Sequence, residues 1–71
     1  MRELEFTLAG DFIELHKLLK LVSLADSGGS AKQLVASGVV AVDGEVELRK
    51  TCKIRPGQVV TVQDVRISVR Q

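Results

Sequence analysis

Apolar and polar positions alternate at the start of the chain. In residues 3–8, Leu4, Phe6 and Leu8 share one parity and Glu3, Glu5 and Thr7 the other. That two-residue period predicts a strand with one buried face. Ala9 and Gly10 interrupt it. From residue 11 the period lengthens. At 100° per residue Phe12, Leu15, Leu18, Leu19 and Val22 fall on one helical face, with His16, Lys17 and Lys20 opposite, beside Ile13. Asp11, three residues before Glu14, gives this helix the form of a capping box. A short polar connection at 23–26 leads to a second helix from Ser27, with Ala31, Leu34 and Val35 turned inward and Lys32, Gln33 and Ser37 outward. Gly38 stands where a helix-terminating glycine belongs. The two segments predict a compact helical hairpin.

The second half returns to strand patterning. Residues 39–42 are short and rich in β-branched Val, and residues 45–48 alternate. Asp43-Gly44 between them suits a two-residue turn, which requires positive φ. Pro56-Gly57 marks another turn. Residues 58–62 and 65–69 predict two further strands separated by Gln63-Asp64. A strand, two helices and then several strands give an α+β domain, its helices on one side of a small, mainly antiparallel sheet.

Length and composition narrow this picture. Seventy-one residues make one small domain with little room for a deep cavity. Phe6 and Phe12 are the only aromatics, so the core must be built of Leu, Val and Ile. No apolar run reaches the roughly 18 residues that a membrane span needs. The first five residues mix charge with single apolar positions, unlike a secretory leader. Cys52 is the sole cysteine, which excludes an internal disulfide and fits a reducing, cytoplasmic setting.

Net charge is +1, but the charge is segregated. Residues 1–15 and 38–48 are acidic, whereas Lys17, Lys20 and Lys32 enrich the helices and Arg49, Lys50, Lys53 and Arg55 crowd one short stretch. A near-neutral chain of this kind can still present one basic face. Catalysis and metal binding find little support. There is one His, one Cys and no Tyr, and no cluster of Cys, His or acids stands at ligand spacing. No cofactor is expected. The stretch SGGSAKQ at 27–33 resembles a phosphate loop only superficially, because a nucleotide P-loop needs two glycines separated by four residues after a strand. It suits a helix start, with Ser27 as cap and Gly28 and Gly29 leaving backbone N–H groups uncovered.

Taken together, LHKLLKLVSLADSGGSAKQLVASGVVAVDGE at 15–45 and RPGQVV at 55–60 resemble the S-four domain, the RNA-binding module named for small-subunit ribosomal protein four. The likeness covers residues 12–62 and is strongest to the small stand-alone bacterial form of the module. It implies an αL motif, in which a helical hairpin and the following loops present a basic surface to structured RNA, ribosomal or transfer RNA. By position, the resemblance assigns RNA contacts to His16, Lys17, Lys20, Ser27, Gly28, Gly29, Lys32, Gln33, Arg49, Lys50, Lys53 and Arg55. Gly28 stands where many members carry Arg, which removes one side-chain phosphate contact. The expected protein is a non-catalytic monomer, with a ribosome or an RNA-modifying enzyme as its wider partner. A protein-interaction module using the acidic strands or a sheet edge is the alternative. A sulfur carrier would end in Gly-Gly, and this chain ends Val69-Arg70-Gln71.

Overall fold

The structure, a computed structural model, describes residues 2–71. Met1, with which the reading of the N-terminus began, lies outside them. The elements run β1 (Arg2–Thr7), β2 (Ile13–Glu14), α1 (Leu15–Leu21), α2 (Gly28–Ala36), β3 (Val40–Val42), β4 (Glu45–Val46), β5 (Lys53–Ile54), β6 (Val59–Val62) and β7 (Val65–Arg70). Five strands form one sheet in the order β1-β7-β6-β3-β4, and β2 pairs with β5 apart from it. The main sheet is antiparallel except at one edge, where β1 runs parallel to β7 with Leu4 opposite Ile67. This is the expected α+β architecture of an αL motif on a mainly antiparallel sheet. The parallel pair was not expected.

One core joins the layers. Leu15, Leu18 and Leu19 of α1 and Ala31 and Val35 of α2 share the core with Val40, Val60, Val62 and Ile67 of the main sheet and with Ile54 of the β2–β5 pair. The core is aliphatic, as the scarcity of aromatics requires. Leu4 and Phe6 pack against it from β1.

Local chemistry explains most of the turns. Asp43 and Gly44 take φ of 52° and 87° and close the β3–β4 hairpin. The Asp43 carboxylate also accepts the Val59 backbone N–H at 3.0 Å and the Gln58 amide at 3.2 Å, fastening the hairpin to β6. Gln63, at φ 54°, turns β6 into β7. Gly38, at φ 84°, ends α2 in the left-handed region that glycine enters without steric penalty.

Three expectations are corrected. Asp11 does not cap α1. Ile13 and Glu14 are extended, paired to Ile54 and Lys53, so the helix cannot begin before Leu15. Its first N–H groups, from Leu15 and His16, donate instead to the carbonyls of Cys52 at 2.9 Å and Lys50 at 3.0 Å. A distant loop supplies the cap. In consequence Phe12 stands outside the helix and is 42% exposed rather than buried with Leu15, and Ile13 lies in the strand instead of on the basic helical face. Finally, the strand expected over 45–48 stops at Val46. The Glu47 carboxylate accepts the Arg49 backbone N–H at 3.0 Å and turns the chain away.

Candidate nucleic-acid interface

The capping bonds at the start of α1 have a second effect. They fix the basic segment 49–53 against the first helix, while α2 packs beside α1. Three segments distant in sequence therefore meet on one side of the molecule. Lys32, Gln33 and Ala36 of α2 and Leu48, Arg49, Lys50 and Thr51 of the loop line a shallow groove of about 490 Å³. A second depression, formed by Arg49, Thr51, Cys52 and Lys53, shares Arg49 and Thr51 with it. A third shares Lys53 and reaches Phe12, Ile13, Glu14 and Lys17. Side chains from both helices and the loop thus border three open, neighbouring depressions, a basic track in which Arg49, Thr51 and Lys53 each belong to two of them.

The twelve residues singled out in the sequence do not contribute equally. Lys17, Lys32, Gln33, Arg49, Lys50 and Lys53 line the track. Arg55 joins its far end, its guanidinium 5.8 Å from the centre of the Phe12 ring. Lys20 is exposed in the last turn of α1, where a cation also complements the helix dipole. His16 is half-buried, its Nε2 3.4 Å from a Glu14 carboxylate oxygen. Ser27, Gly28 and Gly29 form the start of α2 and border none of the three depressions. Ser27 is the expected cap, its hydroxyl accepting the Ser30 N–H at 3.2 Å. A Cβ added at Gly28 would meet nothing within 4 Å.

Carboxylates set which cations remain available. Glu14 lies 3.3 Å from Lys17 Nζ. Glu47 receives both Nε (3.0 Å) and a terminal nitrogen (3.3 Å) of Arg49. Hydrogen bonds from the Arg49 side chain and backbone hold the Glu47 carboxyl down at about 2. The neighbouring Cys52 thiol moves the other way, pushed up first by burial and then by the Glu47 charge. It stays protonated at neutral pH and is a poor nucleophile. Among the described residues Lys20, Lys32, Lys50, Lys53 and Arg55 have no ion-pair partner within 4.0 Å. On the outer face of the sheet the balance is reversed: Arg66 pairs with Glu3 and Arg70 with Glu5.

Sequence reasoning missed Phe12, Leu48 and Thr51 as neighbours of these cations, and Glu14 and Glu47 as their counterions. Only the Glu14–Lys17 pair carried a signal, a three-residue spacing on one helical face. The others depend on the path of the 47–53 loop. Among the described residues no group of three or more His, Cys, Asp or Glu side chains could hold a metal. Among the described residues no helix is long and apolar enough to cross a membrane.

Comparison with known proteins places these features in a group. A family model described as S4 domain matches residues 6–70. YbcJ of Escherichia coli is 53% identical over 49 residues, which cover 69% of this chain and 70% of the relative. YbcJ of Shigella flexneri matches to the same extent. The solution structure of the E. coli protein, described as revealing an αL motif involved in RNA binding, superposes with a TM-score of 0.67 at 39% identity, covering 100% of this chain and 89% of the other.

Proposed function

The chain belongs to the S4 domain family, and from that premise we propose that it is a non-catalytic protein that binds structured RNA through phosphate contacts on its αL face. One observation carries the reading. Among the described residues six cations have no carboxylate within 4.0 Å, and five of them, Lys20, Lys32, Lys50, Lys53 and Arg55, lie on the two helices or in residues 50–55, while the sixth, Arg2, lies on the edge strand β1. Unpaired cations on an open track suit a ligand that carries its own regularly spaced negative charge. Phosphate contacts supply most of the affinity and set position rather than sequence. The shallow grooves favour the shape of folded or double-stranded RNA, such as ribosomal or transfer RNA. The αL motif of E. coli YbcJ, described as involved in RNA binding, supports the same reading.

In this reading His16, Lys17, Lys20, Lys32, Gln33, Lys50, Lys53 and Arg55 meet the RNA, His16 from beside Glu14. Arg49 joins them once phosphate competes with Glu47. Ser27, Gly28 and Gly29 offer the amide end of α2 to the same backbone. The protein acts as a cytoplasmic monomer on RNA that belongs to a ribosome or is passed to an RNA-modifying enzyme. The alternative is protein binding through the acidic strands or a sheet edge; of its acids Glu3, Glu5 and Glu47 are paired to Arg66, Arg70 and Arg49, whereas among the described residues Glu45 on the edge strand β4 has no such partner.

Fluorescence anisotropy with labelled ribosomal RNA fragments, transfer RNA and DNA duplex tests the proposal. Contact with about five phosphates predicts a log–log salt slope of roughly −4 to −5. Changing Lys17, Lys20, Lys32 and Lys53 together to Glu should abolish binding and leave the circular dichroism spectrum unchanged. Undiminished affinity in that folded variant would falsify the site.

A further inference from the structure

We propose that Phe12 is a stacking platform for one unpaired nucleobase, with Lys17, Lys53 and Arg55 placed for the phosphates beside it. The inference rests on the RNA-binding reading above and specifies the RNA: a helix carrying an unstacked nucleotide. The chain has two aromatic side chains. Phe6 packs against the core, whereas Phe12 is 42% exposed and lies outside the group of apolar side chains that pack there. Leu21, Val39, Val46 and Leu48 are exposed as well, so exposure alone does not single Phe12 out; what does is an aromatic face with two cations beside it.

Phe12 is held in place by its surroundings. The next residue, Ile13, pairs with the fully buried Ile54. Lys53 and Arg55 flank that same Ile54 in sequence and bring their cations over the ring, with Lys53 Nζ 4.9 Å and the Arg55 guanidinium carbon 5.8 Å from its centre. Phe12, Ile13, Glu14, Lys17 and Lys53 line a shared depression, and Lys53 joins it to the basic track. The phenyl ring therefore sits where the phosphate-binding track ends.

A phenyl face and several cations match the two parts of a nucleotide, a π-face and a phosphate. Cation–π contacts at exposed sites are weak, so a base can share or displace them while the cations move to phosphate. In a continuous duplex both faces of each base are already stacked. Only an unpaired nucleotide, in a bulge, loop or end, offers a free face.

The test uses two RNA hairpins with the same paired stem, each closed by a non-nucleotide linker so that the loop offers no base, one flush-ended and one with a single added bulged adenosine. The chain has no Trp and no Tyr, so the Phe12→Trp variant carries a single emission probe at the site. Its emission should be quenched by the bulged hairpin and not by the flush one. Phe12→Leu, which keeps an apolar side chain, should lose roughly 5- to 150-fold affinity for the bulged RNA, the range of one base–aromatic stack. Its affinity for the flush RNA should remain within about twofold, because the phosphate contacts are intact. Equal losses on both hairpins, or no loss and no selective quenching, overturn the platform and leave phosphate binding standing. Failure of the wild-type protein to bind either hairpin overturns the RNA reading and the platform with it.

Discussion

Glu47 holds Arg49 by its side chain and by its backbone N–H, and this small motif shapes both the loop and its charge. The sign of its pH dependence follows from the direction of the shift. The folded carboxyl titrates at about 2, below the ordinary 4.5. Its contribution to stability is therefore complete above the unfolded value and disappears as pH falls through about 2. Side-chain carboxyl NMR should show Glu47 titrating near 2 in the wild-type protein and closer to 4.5 in Arg49→Leu. An ordinary titration in the wild type would mean that Arg49 is already free. In Glu47→Gln, where the carboxylate that competes with phosphate for Arg49 is removed, RNA affinity should rise at every salt concentration tested. At this scale the sequence was only half legible. Arg49, Lys50, Lys53 and Arg55 stand out by proximity along the chain. The choice of Arg49 as the paired member depends on a loop path that periodicity does not encode. Phe12 was misplaced for a related reason, since its spacing to Leu15 fits a helix that the β2–β5 bridge forestalls.

At the scale of elements, what was legible was local. Ser27 caps α2 through an atom three residues from its partner, Gly38 ends the helix, and Asp43-Gly44 closes its hairpin. Each rule operates within a few residues, so the chain states it openly. The α1 cap is the counterexample: its acceptors, on Cys52 and Lys50, lie more than thirty residues downstream, and Asp11 offered a local signal that lost to them. The two glycine classes of α2 give a test. A methyl group at Gly38 meets no atom within 4 Å, so the penalty of Gly38→Ala comes from φ of 84° alone, about 1–2 kcal/mol for a left-handed residue. Gly28 also faces open space and has ordinary φ. Gly28→Ala should stabilise by a few tenths to about 1 kcal/mol through the unfolded chain and helix propensity. Urea midpoints should move in opposite directions. Parallel shifts would place the cause somewhere other than the backbone.

For the whole molecule, the least legible feature was the parallel edge. Hairpin signals join neighbours, and β3–β4 and β6–β7 follow them, but nothing local says that residues 2–7 run beside residues 65–70. That pairing brings Glu3 and Glu5 beside Arg66 and Arg70, which neutralises the outer sheet face and leaves the unpaired cations of the αL side to dominate the local field. The division matters because the net charge is only +1. If overall charge governed encounter with RNA, the position of a lost cation would be immaterial. Two double variants separate these cases. Lys32→Gln with Lys53→Gln, and Arg66→Gln with Arg70→Gln, each remove two positive charges from the same chain. Arg66 and Arg70 alternate with buried Val65, Ile67 and Val69, so they point away from the core and the helices packed on it. The first pair should flatten the log–log salt slope by about two units and weaken every RNA tested. The second should leave the slope within about half a unit of the wild type. Exposed ion pairs contribute little to stability, so both variants should remain folded. Equal losses from the two pairs would show that the αL face has no privileged role in binding, whatever its geometry.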